Sequence, residues 1–324
     1  MQIFGSLLAL LFFIFILIKS ADLTIEALKS LAKKFGTGTF ALSAIILAMA
    51  TSLPELFVGI TSAIEGTPSL SLGNVLGANI ANLSLVVGLA GLITGGVFVH
   101  EKVVTREILL ATGAAVLPIF LLLDGSLNRV DGLVLLSVYF AYTTSFFKIR
   151  FLEIGRYTMG GNYILRFVRH LGEVEQKADK TLGHLFVGIA ALLFSSNFIV
   201  EFATDFAKAS GISIFVIGVI VISLGTTLPE VVVSIQSLKK SQPGVFFGNI
   251  LGSLIVNSTL ILGVVSVISP MEGGNMGDYI AALVTLVVTL LLFWLFTRTK
   301  NRLERWEALT LLLVYVIFAV VEFF

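Results

Sequence analysis

One stretch occurs twice in this chain, and the duplication constrains the fold more than any other feature. The first copy reads Leu47-Ala-Met-Ala-Thr-Ser-Leu-Pro-Glu55 and reaches Gly73-Asn-Val-Leu-Gly-Ala-Asn-Ile-Ala-Asn82. The second reads Ile222-Ser-Leu-Gly-Thr-Thr-Leu-Pro-Glu230 and reaches Gly248-Asn-Ile-Leu-Gly-Ser-Leu-Ile-Val-Asn257. Each residue of one copy lies 175 positions from its counterpart, with no gap. Both copies sit in apolar sequence, and 57% of the chain is apolar against 13% charged. Windows of about 20 apolar residues recur along it, each able to cross a hydrocarbon layer of roughly 30 Å. The fold class is therefore an all-α integral membrane protein, and duplicated motifs in such a chain mark transporter repeats.

Breakers divide the apolar sequence into ten expected helices. They cover about 2–20 (with an amphipathic continuation to 31), 39–64, 70–94, 104–123 and 130–148, then 181–208, 213–238, 244–269, 277–297 and 305–323. Residues 1–150 form one five-helix unit and 181–324 a second, with the polar stretch 151–180 as a cytoplasmic linker, able to form an amphipathic surface helix. Residues 1–18 lack a basic n-region and read as an uncleaved span. Assigning the loops after the odd-numbered helices to one side collects 19 of the 21 Lys and Arg there, leaving Arg129 and Lys208 opposite. That side is cytoplasmic by the positive-inside rule, which puts both termini outside a cell membrane. The same layout runs the helices carrying Glu55 and Glu230 in opposite directions, so the repeats are expected to be inverted.

Glu55 and Glu230 lie mid-segment, where a carboxylate costs at least about 2.5 kcal/mol to insert. The alternative to function is a protonated acid hydrogen-bonded to a neighbouring helix, but duplication behind Thr-[Ser/Thr]-Leu-Pro weighs against it. Pro54 and Pro229 each lack an N–H and clash with the carbonyl four residues earlier, at Ala50 and Gly225. Freed carbonyls beside a carboxylate suit a hard cation such as Ca2+, which takes about 6–8 oxygens. Asn82 and Asn257, each 27 residues after its Glu, are candidate ligands; an interhelical hydrogen bond is the alternative. Gly73/Gly77 and Gly248/Gly252 are spaced for close helix contact. His100, His170 and His184 share no metal-ligand spacing, and Asp124 to Asp131 reads as a turn with capping acids. Without cysteine, disulfides and thiolate sites are excluded, and a formal charge of +1 argues against a nucleic-acid partner.

The duplicated motifs resemble the α-repeats of the cation/calcium antiporter superfamily, most closely its sodium/calcium exchanger branch. The resemblance implies that Glu55 and Glu230 are shared ligands for Ca2+ and Na+. It further implies that the Thr51 and Thr226 carbonyls complete the calcium site, that the Ala48 and Ser223 carbonyls serve flanking sodium sites, and that Ser253 is a serine ligand. Two positions depart from the family pattern. Ala78 stands where the first repeat usually has the matching serine, and Asn257 where microbial exchangers commonly have Asp. The expected function is Ca2+ exchange against Na+ by alternating access, with Ca2+ and Na+ as substrates, no cofactor and no inferred protein partner. Proton-coupled exchange of Ca2+ or another divalent ion is the alternative. A channel fits less well, and an intramembrane enzyme lacks a mid-helix nucleophile–base pair.

Overall fold

The computed structural model describes residues 2–34, 48–99, 101–157, 179–271, 276–298 and 302–323. The first helix, α1, runs Gln2–Lys34 as one piece, so the amphipathic continuation joins the span. The next segment is helical at 48–51, breaks at Ser52 and restarts as α2, Leu53–Ile64; the part expected over 39–47 lies outside the described residues. Then follow α3 (Pro68–Ala81), a π-helical turn Asn82–Val86 and α4 (Val87–Thr94) in one continuous rod. Next come α5 (Glu101–Leu121) and α6 (Arg129–Tyr157), the latter carrying its helix into the expected linker. The linker residues 158–178, with His170, and His100 fall outside the described residues.

The second half repeats this order. It contains α7 (Asp179–Ser210), α8 (Ile214–Ile217), a π-helical turn Gly218–Ile222, α9 (Ser223–Thr226) and α10 (Leu228–Lys239). It continues with α11 (Pro243–Ile255), a π-helical turn Val256–Ile261, α12 (Leu262–Ile268), α13 (Met276–Arg298) and α14 (Arg305–Phe323). Among the described residues seven helices are long and apolar enough to cross a membrane. The pair Ile214–Thr226 and Leu228–Lys239, bent by 41°, makes an eighth if counted as one span.

Burial sorts these helices into an inner and an outer set. The spans Pro68–Thr94 and Pro243–Ile268 are 78% and 83% buried, whereas Phe4–Ala27 and Arg305–Phe323 are each 28% buried. The outer helices turn Phe4, Phe12, Phe120, Phe186 and Ile317 outward, an apolar surface too extensive for water and suited to lipid. On the inward side α1 packs along α7 through an aromatic ladder, with the Phe13 and Phe198 rings stacked at 4.5 Å.

Small residues let the inner rods touch backbone to backbone. A Cβ on Gly73 or Gly77 would overlap the carbonyl oxygen of Phe215 or Val219, and one on Gly218 that of Leu70. Here α3 crosses the 214–226 segment, and no other residue type permits that approach. The glycine spacing thus serves packing, as the sequence implied.

Short backbone pairings tie the two halves together outside the helices. β1 (Val97–Phe98) pairs antiparallel with β2 (Arg302–Leu303), and Leu127 forms a bridge to Met271. Shifted by the 175-residue offset and exchanged between halves, the first pairing falls within one residue of the second. The expected polar turn is also present. Asp124 accepts from the Ser126 amide, and Asn128 caps α6 through the Val130 and Asp131 amides while Asp131 accepts from the Asn128 amide.

A candidate cation site between two interrupted helices

The site begins with two broken helical ladders. The Leu56 amide closes on the Ser52 carbonyl and the Val231 amide on that of Thr227. The ladder therefore restarts at these residues and passes over the Thr51 and Thr226 carbonyls. Pro54 and Pro229 sit in the first turn of the new helices, where a missing N–H is tolerated. Glu55 and Glu230 occupy the third position of α2 and α10, at the positive end of each helix dipole. Both are fully buried, and their charges interact with one another. The Thr226 hydroxyl faces Glu55, and the Thr51 and Ser253 hydroxyls face Glu230, but only Ser253 comes within 3.5 Å in hydrogen-bond geometry, on one Glu230 oxygen. Three orphaned carboxyl oxygens in an apolar core are unfavourable without a cation or proton to meet them.

Two threonines join the halves across this point. The Thr51 hydroxyl donates to Asn249 Oδ1 at 3.1 Å, and the Thr226 hydroxyl donates to Asn74 Oδ1 at 3.1 Å. These contacts are related by the same 175-residue offset, each half supplying one donor and one acceptor. Asn74 and Asn249 belong to the same two Gly-Asn elements whose glycines serve packing, and they are functional residues beyond those expected from sequence. Their duplication was the available signal.

The other expected ligands differ in readiness. Ser253 lies 3.4 Å from the Thr51 hydroxyl and touches Glu230, so the structure brings it to the carboxylates. The Ala48 and Ser223 carbonyls are already engaged. Ala48 accepts from the Ser52 amide at 3.1 Å and lies 3.1 Å from the Thr51 hydroxyl. Ser223 accepts from the Thr227 amide at 3.0 Å and lies 3.3 Å from the Thr226 hydroxyl. Each threonine hydroxyl has one proton, already placed on an asparagine, so the amide occupies one lone pair on each of these carbonyls and the other remains for an ion.

Asn82 opens one π-helical turn and Asn257 lies within another, and such turns recur at functional sites. Both side chains are fully buried, which rules out glycosylation at Asn82-Leu-Ser84 and Asn257-Ser-Thr259 in this fold. Asn82 has no partner on either side-chain atom. Asn257 donates through Nδ2 to Asn79 Oδ1 at 3.2 Å, and its own Oδ1 is unpartnered. Among the described residues no third Asp, Glu or His completes a cluster with the two acids. The site therefore offers two carboxyls surrounded by neutral oxygens.

Two buried acids where interrupted helices from two repeats meet define a membrane transporter of the antiporter class. The family model described as "Sodium/calcium exchanger protein" matches residues 5–148 and 180–324, and the chain belongs to that family. It is 28% identical over 350 residues to the sodium/calcium exchanger MaX1 of Methanosarcina acetivorans, covering 98% of this chain and 99% of that one. It is 29% identical over 284 residues to the inner membrane protein YrbG of Escherichia coli, covering 86% of each. Among solved structures it superposes on the sodium-calcium exchanger NCX_Mj soaked with 2.5 mM Na+ and 0.1 mM Ca2+, with a TM-score of 0.62 and 26% identity over 96% of each chain. The same exchanger soaked with 2.5 mM Na+ and 1 mM Sr2+ gives a TM-score of 0.63 at 26% identity.

Proposed function

We propose that this protein exchanges Ca2+ for Na+ across a cell membrane by alternating access, with Glu55 and Glu230 as the ligands common to both ions. The carrying observation is the pair of fully buried carboxyls with three oxygens on which no hydrogen bond closes. One Ca2+ neutralises both acids, and two Na+ do the same. An empty cavity leaves uncompensated charge in a low-dielectric site, so reorientation is disfavoured until one set of ions is bound. That condition makes a carrier an exchanger rather than a leak. The Thr51 and Thr226 carbonyls, Ser253, Asn82 and Asn257 supply neutral oxygens, as Ca2+ requires. The Ala48 and Ser223 carbonyls, each with one lone pair beyond its amide partner, join as sodium ligands.

In this reading the chain has ten spans in two inverted five-helix repeats, 1–150 and 181–324, joined by a cytoplasmic linker at 151–180. The short apolar α2 and the long α6 supply the two spans beyond the eight that length and composition identify. The reciprocal Thr–Asn contacts and the exchanged backbone pairings support a pseudo-twofold arrangement. Both termini are then outside. A cysteine introduced near Arg156 is expected to label only from the cytoplasm and one near Gly274 only from outside; labelling of both from one side refutes the layout.

A proton-coupled form of the same exchange is favoured by one observation. Asn257 is neutral, so two protons can balance one Ca2+ as well as two Na+ can. Calcium flux in proteoliposomes under separately imposed Na+, K+ and pH gradients tests the choice. Uptake driven by outward Na+ alone is the expected result, uptake driven only by pH assigns the proton form, and flux without any counter-ion overturns exchange.

A further inference from the structure

The two repeats match at Glu55/Glu230, Thr51/Thr226, Asn74/Asn249 and Asn82/Asn257, but one buried polar pair breaks the symmetry. Asn79 corresponds to Leu254, and Ser258 corresponds to Leu83. All four side chains are buried, none more than 1% exposed. One side of the site therefore carries an Asn–Ser pair where its mirror image carries two leucines. Asn79 Nδ2 donates to Ser258 Oγ at 2.8 Å, and Asn79 Oδ1 accepts from Asn257 Nδ2 at 3.2 Å. This chain has a direction. With its nitrogen on Ser258, Asn79 presents its oxygen to Asn257, and Asn257 is held by its nitrogen with its oxygen unpartnered. Asn257 lies one helical turn beyond Ser253, which touches Glu230, so the two side chains share a helix face. Asn82, the counterpart of Asn257, faces no such brace, and both its polar atoms are unpartnered.

We propose that Asn79 is a positioning residue that locks the Asn257 carboxamide with its oxygen toward the ion, so that a neutral amide serves where an acid would need no orientation. The inference rests on the exchange reading above. An amide has one acceptor and one donor end, and a cation meets only the acceptor; a free amide must be oriented by the ion itself. A carboxylate has two acceptor oxygens and binds in either orientation. Pre-orientation by Asn79 removes that entropic burden from binding.

The test compares Asn79→Leu, which copies the residue of the other repeat, in the natural chain and in an Asn257→Asp background. Full-length protein is reconstituted in proteoliposomes, and 45Ca2+ uptake against internal Na+ is followed as a function of Ca2+ concentration. Asn79→Leu alone is expected to raise the half-saturating Ca2+ about three- to tenfold, the worth of one oriented hydrogen bond, with maximal rate within about twofold. In the Asn257→Asp background the same substitution is expected to leave half-saturation unchanged. An unaltered half-saturation in the natural background, or an equal shift in both backgrounds, overturns the positioning role. If Asn79→Leu does not fold, Ser258→Ala takes its place, since it removes the hydroxyl that holds the Asn79 nitrogen. A rise of about two- to threefold, absent with Asp at 257, is then expected, and no rise overturns the proposal. Wild-type protein that neither binds nor exchanges Ca2+ instead removes the exchange reading itself, and the role of Asn79 with it.

Discussion

The two faces of the site hold the same acid and surround it differently. On the first-repeat face Glu55 faces the Thr226 hydroxyl but no serine, because position 78 is an alanine, and Asn82 is unbraced. On the second-repeat face Glu230 meets Ser253, and Asn257 is held by Asn79, itself held by Ser258. Duplication thus preserved the two acids and let the neutral groups around them diverge. On the exchange reading, an ion between the acids would meet equal formal charge on both sides but more pre-arranged oxygen on one.

The largest expected effect ignores that difference. Glu55→Gln and Glu230→Gln should each reduce calcium flux at least about a hundredfold, because a divalent ion facing one carboxylate keeps an uncompensated charge in a dry site. Flux per folded protein in proteoliposomes measures it. Wild-type-like transport in either well-folded variant would remove that residue from the site, and a large gap between the two would show that the faces are unequal even in charge.

Packing gives the next comparison. Gly77 and Gly252 are counterparts, yet a Cβ on Gly77 would strike the Val219 carbonyl and the Ser223 side chain, whereas one on Gly252 would meet only the Ala48 methyl at 2.5 Å. An alanine Cβ is as fixed as its backbone, so both substitutions force a shift, but Gly77 meets a carbonyl oxygen and a serine side chain while Gly252 meets one carbon. Gly77→Ala is expected to destabilise the protein by about 1–3 kcal/mol, as overpacking does, and Gly252→Ala by less. Thermal unfolding in detergent orders them, and the reverse order would mean that the α3 crossing is the softer of the two.

How much of this was legible beforehand follows from what duplication makes visible. Glu55, Glu230, Asn82 and Asn257 stood out because each recurs at one offset, and proline located the helix breaks because its chemistry is local. The structure places the break one step later than the bare clash argument: the carbonyls of Thr51 and Thr226, beyond those facing the prolines, are also passed over. Asn74 and Asn249 recur too, but their role depends on a threonine in the opposite half, a contact that spacing along one chain cannot express. Asn79 and Ser258 carry no repeat signal, since their counterparts are leucines, and only the crossing of α3 with the Val256–Ile261 turn brings them together. The π-helical turns were equally silent, for one extra residue in a helical turn leaves apolar periodicity nearly intact.

The smallest expected effects bear on coupling, where the faces differ most. Ser253 offers a hydroxyl near Glu230 and the Thr51 hydroxyl, and its counterpart Ala78 offers none. Ser253→Ala should weaken apparent calcium affinity about threefold to tenfold, the range for one lost oxygen contact. Ala78→Ser should raise apparent sodium affinity about threefold by restoring the missing hydroxyl. Neither change alters the charge count, which Asn257 sets. With Glu55 and Glu230 as the acids of the site, one Ca2+ or two Na+ cancel it, and a third Na+ leaves a net positive charge in poorly solvated surroundings. The expected coupling is therefore below three Na+ per Ca2+, and Asn257→Asp should strengthen sodium dependence by accommodating a further cation. The membrane potential at which net calcium flux reverses, under fixed Na+ and Ca2+ gradients, decides the matter. A balance point independent of potential matches two charges exchanged for two. Reversal at the three-to-one potential in the natural chain would mean that backbone dipoles compensate the third ion, and that a neutral Asn257 does not limit the stoichiometry.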